Sequence, residues 1–227
     1  MNYQFDFESV LSYWPLFLEG AGTTLQMSFW ATLVGFVLGV LCAVARSSGP
    51  LWLRKLVGGY VEVIRNTPLL VQSYFLIFGM SSVGVRLPIM VGAVLALVIN
   101  IGAYTCEIVR AGIESVHKGQ LEAAECLGLT PTQVYLHIIL RPAIERVYPA
   151  LTSQYVLLML VTSILSAVGA NELFGVSNSV QANTFRNFEV FIVLWVVYLV
   201  LSALVRAVFW LFGQFVFVRR RKLGTAL

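Results

Sequence analysis

Five long apolar segments alternate with short polar ones along the chain. They cover residues 20–45, 60–80, 87–110, 147–168 and 190–217. A helix that spans a bilayer needs about 20 mainly apolar residues, and each segment reaches or approaches that length. The pattern therefore predicts an all-α integral membrane protein with about five transmembrane helices.

The segment before the first span, residues 1–19, is typical of an extracytoplasmic or interfacial entry. Its aromatic side chains suit the interface between membrane and water. Pro15 is predicted to begin the first membrane helix, because proline fits the first helical turn. The alternation of Tyr3, Phe5 and Phe7 is also compatible with a short strand.

Two features mark the second span. Pro68 is predicted to kink or restart the helix, because proline cannot donate to the backbone ladder. Glu62 and Arg65 lie three residues apart and could pair on one helix face, which lowers the cost of charges near the bilayer.

Composition agrees with a membrane protein and narrows the choice of partners. The chain is 59% hydrophobic and 11% charged, whereas soluble domains carry about 25% charged residues. The basic isoelectric point, about 9.1, follows from Lys and Arg that flank spans, so we expect no nucleic acid. Cys42, Cys106 and Cys126 are scattered, and their spacing predicts neither a disulfide nor a metal site.

Lys and Arg predict the orientation. They gather between spans one and two, between spans three and four, and in the tail at residues 218–227. The positive-inside rule places these three groups in the cytoplasm. The N-terminus is then outside and the C-terminus inside, as an odd number of spans requires. Residues 115–142 form a cytoplasmic loop, and 169–179 an outer loop.

The cytoplasmic loop carries consistent helix signals. Residues 120–127 predict a short helix that Gly128 ends in a left-handed conformation. Thr130 is a good N-cap, Pro131 fits the first helical position, and Gln133 completes a capping box. A second helix is predicted from Pro131 to about residue 140, with a break or a new start at residue 142.

The same loop resembles a family motif. Glu122, Ala123, Ala124 and Gly128, followed by Ile138 and Leu140, match the spacing of the EAA loop of ABC importer permeases. The chain departs from that motif at Arg141, where the family has proline. For the loop alone, an ordinary helical hairpin is the alternative. The resemblance implies a type I ABC importer transmembrane domain over residues 20–217, in a bacterial cytoplasmic (inner) membrane, with a loop that couples to an ATPase.

Two further stretches resemble the branch of this family that imports polar amino acids. Residues 65–72 match its R-x-T-P-L-L-V-Q segment, and residues 103–120 match a second pattern, with His117 where proline is usual. The resemblance implies an amino-acid substrate.

Polar side chains in or near the spans are candidates for the substrate pathway. Val161 joins them because it stands where the family has the acid of a K-D-T-S segment. Glu107 could pair with Arg110 or contact the substrate, and both readings stay open. The candidates are Gln72, Asn100, Glu107, Gln154, Val161, Thr162, Ser163 and Glu172.

The chain has no phosphate-binding loop, nucleophile elbow or metal cluster in its sequence, so we expect a transport subunit and not an enzyme. The resemblance implies these partners: a dimer of ATPase subunits that hold ATP and Mg²⁺, a second identical or homologous permease, an extracytoplasmic solute-binding protein and the lipid bilayer. The alternative is a self-contained channel or secondary transporter, for which more spans or internal repeats are expected.

Overall fold

The structure, a computed structural model, describes residues 3–216, and these form nine helices. The predicted tail, 218–227, lies outside the described residues. The helices are α1 (Phe7–Leu11), α2 (Trp14–Ser48), α3 (Leu51–Arg65), α4 (Leu69–Ser82), α5 (Ile89–Glu114), α6 (Lys118–Cys126), α7 (Pro131–Val168), α8 (Leu173–Thr184) and α9 (Asn187–Val216).

Four of these helices, α2, α5, α7 and α9, are long and apolar enough to cross a membrane, and α4 is a shorter apolar helix. The first span begins at Trp14, with Pro15 in its first turn as predicted. The fourth span is longer than predicted: α7 runs from residue 131 to 168, and Pro142 does not interrupt it. Its backbone widens to a π-helix at 134–140 and tightens to a 3₁₀-helix at 162–168.

The second predicted span, residues 60–80, is two helices and not one. Helix α3 ends at Arg65 and α4 begins at Leu69, so the predicted restart at Pro68 is confirmed. The break leaves backbone carbonyls without helical partners, and the Gln72 side chain binds two of them. Its amide donates to the Ile64 carbonyl at 2.8 Å and to the Thr67 carbonyl at 3.0 Å.

Helices α2 and α5 pack closely and run parallel. Gly35 lies against Ile101, and Gly39 lies against Thr105, where an added Cβ would meet the threonine side chain. Small residues at these positions let the two backbones approach. Because α2 and α5 are parallel, the chain between them must return to the starting end, and α4 makes that return. The fold therefore has four long crossings and one short one, in agreement with the predicted five.

Near the starting end of α2, the chain is more helical than the sequence suggested. Most of the expected outer loop at 169–179 belongs to α8, which begins at Leu173 and packs against Gly20. The alternative strand at residues 3–7 is absent from the described residues, because Asp6 caps α1 by accepting from the Ser9 N–H at 3.2 Å. The end of the bundle where α2 starts, which also carries α1 and α8, is called the terminal end. The end that carries α6 is called the loop end.

Candidate functional site

The turn between α6 and α7 has the predicted geometry. Gly128 has a φ of +70°. Its N–H donates to the Glu125 carbonyl at 2.9 Å, and the Leu129 N–H donates to the Ala124 carbonyl at 3.2 Å. Glycine adopts positive φ at low cost, and these two bonds satisfy carbonyls at the end of α6. The predicted left-handed stop is confirmed.

The start of α7 is also capped as predicted. The Thr130 N–H donates to Gln133 Oε1 at 2.9 Å, and the Gln133 N–H donates to Thr130 Oγ1 at 3.4 Å. This reciprocal pair is a capping box. The loop thus has a defined shape that its own short-range contacts hold.

The motif residues divide between the two sides of α6. Glu122 and Ala123 are exposed, whereas Ala124 is buried against the protein. Leu127, which sequence reasoning did not single out, is 79% exposed. Its position between the end of α6 and Gly128 is the one signal that could have found it. The loop therefore presents an acid and a leucine on its open face.

A contact across the base of the loop joins its two ends. Arg146 of α7 donates from Nη1 to the Ser115 carbonyl at 2.8 Å and to its hydroxyl at 2.5 Å. Ser115 directly follows α5. The loop is therefore bracketed by two membrane helices that are hydrogen-bonded to each other.

Two of the predicted pathway residues meet inside the bundle. Asn100 of α5 donates from Nδ2 to Gln72 Oε1 at 3.0 Å. The Gln72 amide is also held by the backbone at the break between α3 and α4. A polar pair therefore joins α5 to the broken segment at the centre of the fold.

Glu107 lies two turns further along α5, toward the loop end, and contacts three arginines. It accepts from Arg110 at 2.8 Å and from Arg46 of α2, and Arg65 of α3 is 3.8 Å away. Arg110 also binds Glu114 at 2.6 Å. Of the two readings of Glu107, the structure shows the pairing with Arg110 and does not test contact with the substrate. The cluster ties α2 and α3 to α5.

The expected pair of Glu62 with Arg65 is not formed. Arg65 turns toward α5, where its guanidinium carbon lies 5.4 Å from the centre of the Tyr104 ring. Glu62 instead accepts from the Asn66 amide at 3.1 Å. The contact of Arg65 with α5 is favoured over pairing with Glu62, because α5 offers Arg65 both a carboxylate and an aromatic face.

Glu172 lies at the opposite, terminal end, and no part of it is exposed. Its carboxylate caps α8 by accepting from the N–H groups of Phe174 at 2.9 Å and Gly175 at 2.8 Å. Tyr198 of α9 donates to it at 3.0 Å, and Thr24 of α2 at 3.4 Å. Burial raises the pKa of Glu172, and these donors oppose that shift. The residue joins three helices.

The remaining candidates lie on α7 near its change from α- to 3₁₀-helix. Thr162 is buried and donates to the Met159 carbonyl at 2.7 Å, and Ser163 donates to the Leu160 carbonyl at 2.8 Å. Both hydroxyls therefore bind their own helix. Gln154 and Val161 are half-buried. The structure thus unites Gln72 with Asn100 but separates Glu107 from Glu172, and a role for any of them in binding solute stays a prediction.

Comparison with known proteins decides the family. A family model described as the binding-protein-dependent transport system inner membrane component matches residues 35–218. The chain belongs to this family. It is 40% identical over 187 residues to the probable glutamine ABC transporter permease protein GlnM of Bacillus subtilis, covering 82% of this chain and 87% of that one. It is 35% identical over 211 residues to the nopaline transport system permease protein NocM of Agrobacterium fabrum, covering 88% and 87%.

Solved structures agree on the fold. An amino acid ABC transporter crystallised with histidines has a chain that matches with a TM-score of 0.85 and 33% identity, covering 93% of this chain and 99% of that one. The MetNI methionine ABC transporter in an inward-facing conformation matches with a TM-score of 0.62 and 24% identity, over 85% and 96%. The predicted type I ABC importer transmembrane fold is confirmed.

The chain is therefore a multi-pass inner membrane protein and the permease subunit of an ABC import system. It is a transport subunit and not an enzyme, because ATP hydrolysis in such systems belongs to a separate ATPase. Membership of the family also implies a solute-binding protein as a partner. The alternative of a self-contained channel or secondary transporter is wrong.

Proposed function

We propose that this permease imports a polar amino acid and is driven through the loop at residues 115–142. The relatives named for glutamine and nopaline support the substrate class. In this proposal Glu122, Ala123 and Gly128 form the surface that receives the movement of the ATPase, and the buried Ala124 packs α6 against the rest of the permease.

One observation carries the proposal for coupling. Helix α7 begins in the loop at Pro131 and continues without a break to Val168. Its first turn is fixed to α6 by the Gly128 turn, and Arg146 fixes its early part to the end of α5. A push on α6 is therefore delivered to two membrane helices at once. Such a rigid connection suits a change between inward-facing and outward-facing states.

The partners of the proposed complex follow from the same arrangement. Two permease chains, identical or homologous, pair around the pathway. Two ATPase subunits hold ATP and Mg²⁺ at the loop end, and an extracytoplasmic binding protein delivers the amino acid at the terminal end. This requires the loop end in the cytoplasm and the N-terminus outside.

Cysteine labelling tests that orientation. Cys126 is exposed in the loop and is replaced by serine in the background chain. In intact cells, cysteines placed at Ser12 and Ser179 should react with an impermeant thiol reagent, and one placed at Lys118 should react only after the membrane is opened. All three positions are exposed. Labelling of the Lys118 position in intact cells would overturn the orientation.

Gly128→Val tests the coupling. No atom lies within 4 Å of an added Cβ, so the change acts through the positive φ. The strain costs about 1–2 kcal/mol in the turn. Gly119→Val is a matched control, because its added Cβ also meets nothing and its φ is ordinary. In reconstituted complexes, Gly128→Val should lose solute-stimulated ATPase activity while Gly119→Val keeps most of it. Equal stimulation in the two variants removes the turn from the mechanism.

The charge of the substrate is tested at Val161. The resembling family has an acid there, so this chain offers a cationic side chain no carboxylate at that position. We expect wild-type complexes with this permease as a homodimer to prefer glutamine or glutamate over arginine. Val161→Asp should shift the uptake ratio toward arginine about tenfold, or 1.4 kcal/mol, and the uncharged Val161→Asn should not. A wild-type preference for arginine contradicts the proposal.

A further inference from the structure

A long groove lies between α2, α7 and α9 at the loop end of the bundle. It encloses about 520 Å³, which is within the usual range for ligand pockets. Its walls are aliphatic and aromatic, and much of this surface is exposed in the chain. The apolar wall includes Leu33, Phe36, Ile144, Leu151, Phe209 and Phe212.

Most polar groups along the groove already have partners within the protein. The Tyr148 hydroxyl donates to the Phe209 carbonyl, and the Thr152 hydroxyl donates to the Tyr148 carbonyl at 3.0 Å. The Tyr155 hydroxyl is 3.2 Å from that of Thr105. These hydroxyls are therefore not offered to a ligand, which leaves a mainly hydrocarbon surface.

Arg141 is the exception. It is exposed at the wall of the groove, and within residues 3–216 no carboxylate approaches its guanidinium to within 4.0 Å. Three other arginines near the loop end differ, because Arg46 and Arg110 pair with acids and Arg146 binds Ser115. A ligand of this groove should therefore combine a long apolar body with one anionic group.

The dimensions fit such a molecule in a bilayer. From Arg141 to Tyr155 the groove follows 14 residues of α7, or about 21 Å of helix at about 1.5 Å per residue. Half of the hydrocarbon core of a bilayer is about 15 Å thick. An acyl chain beside α7 would thus reach from the middle of the membrane to Arg141, whose long side chain extends to the level of the phosphates.

We propose that this groove binds an anionic phospholipid, with an acyl chain between α2, α7 and α9 and the phosphate on Arg141. Charge complementarity supports this occupant, because basic pockets between transmembrane helices favour anionic lipid head groups. The lipid would fill the space between three helices, of which α7 leads directly into the loop.

Lipid binding to the purified complex of full-length permease and ATPase tests the proposal. The delipidated complex is titrated with phosphatidylglycerol or with zwitterionic phosphatidylcholine and followed by native mass spectrometry. Wild type should bind phosphatidylglycerol about tenfold more tightly. Arg141→Gln should remove that preference, and Arg141→Lys should retain most of it. Arg206→Gln, at an exposed arginine of α9 outside the groove, should behave as wild type.

A second pair of variants separates the groove from the charge. Leu33→Trp fills the groove and should weaken binding of both lipids, whereas Leu41→Trp, exposed on the same helix outside the groove, should not. An unchanged lipid preference in Arg141→Gln, or an equal loss in Arg206→Gln, overturns the proposal. So does efficient disulfide cross-linking of an Ile144→Cys variant to its counterpart in a second permease, because the groove would then be an interface between copies.

Discussion

The two ends of the bundle hold their carboxylates in different surroundings. At the terminal end, Glu172 and Glu189 are fully buried. Glu172 accepts only from neutral donors, two backbone N–H groups and two hydroxyls. Glu189 accepts from the Tyr3 hydroxyl at 2.5 Å and the Asp6 N–H at 2.9 Å, and Arg186 lies 3.9 Å from it. At the loop end, Glu107 is 17% exposed and lies among arginines.

This difference has mechanical consequences. The neutral donors around the buried Glu172 have fixed directions, so that site tolerates little displacement without leaving polar groups unpaired. Ion pairs near water are less directional and are screened by salt. The loop end can therefore rearrange at lower cost, as the proposed coupling through residues 115–142 requires.

Loss of the buried carboxylate of Glu172 should have the largest effect. Glu172→Ala removes the cap of α8 and leaves several buried donors unpaired, at about 3 kcal/mol. Glu172→Gln retains one acceptor oxygen and should cost about 1 kcal/mol. Thermal unfolding of the purified permease in detergent measures both. If the Glu172→Ala protein is as stable as wild type, the hydrogen bonds of this carboxylate do not stabilise the terminal end, and the contrast with Glu107 fails.

Loss of the charge of Glu107 should have a smaller effect that depends on salt. Glu107→Gln removes the negative charge that offsets the positive charges of three neighbouring arginines. We expect this to lower the free energy of unfolding by about 1–2 kcal/mol at low ionic strength. Raising the salt concentration from about 0.1 M to about 1 M shortens the screening length from about 10 Å to about 3 Å, and the difference from wild type should shrink. Glu172→Ala is the control, because its loss should stay constant over the same range.

The smallest effect should be the pH dependence of the N-terminal cap. The Ser9 N–H lowers the pKa of Asp6, and Arg186 lies 3.7 Å from its carboxylate. A lowered pKa in the folded state means that this stabilisation is complete above the unfolded pKa of about 3.9 and is lost as the pH falls below it. Asp6→Asn should therefore differ from wild type near neutral pH and approach it in acid. A difference that grows on acidification would contradict this sign.

Local signals in the sequence correctly predicted the features whose hydrogen-bond partners are close in the sequence. The turn at Gly128, the capping box at Thr130 and the restart at Pro68 involve partners at most eight residues away. The apolar segments predicted the spans for a similar reason, because a bilayer forces backbone groups to bond within each helix. The motif spacing also predicted the family that the comparisons show.

Pro142 was a local signal that misled. Proline in a helix interior usually breaks it, because the ring meets a carbonyl one turn earlier. Here the helix is π-helical over residues 134–140, and that wider turn accommodates the proline without ending the helix. Only the three-dimensional backbone could reveal that α7 joins the loop to the fourth span.

Apolar periodicity, helix caps and charge bias in the sequence by themselves determined an all-helical membrane protein with a capped loop between its third and fourth spans. The tertiary structure alone decided which polar groups meet. Glu107 binds Arg46, 61 residues away, and Glu172 binds Thr24, 148 residues away. A carboxylate inside a helix bundle must find donors wherever packing brings them. The contact of Glu107 depends on the packing of α2 against α5, and that of Glu172 on the packing of α2 against α8. No short stretch of the chain specifies either.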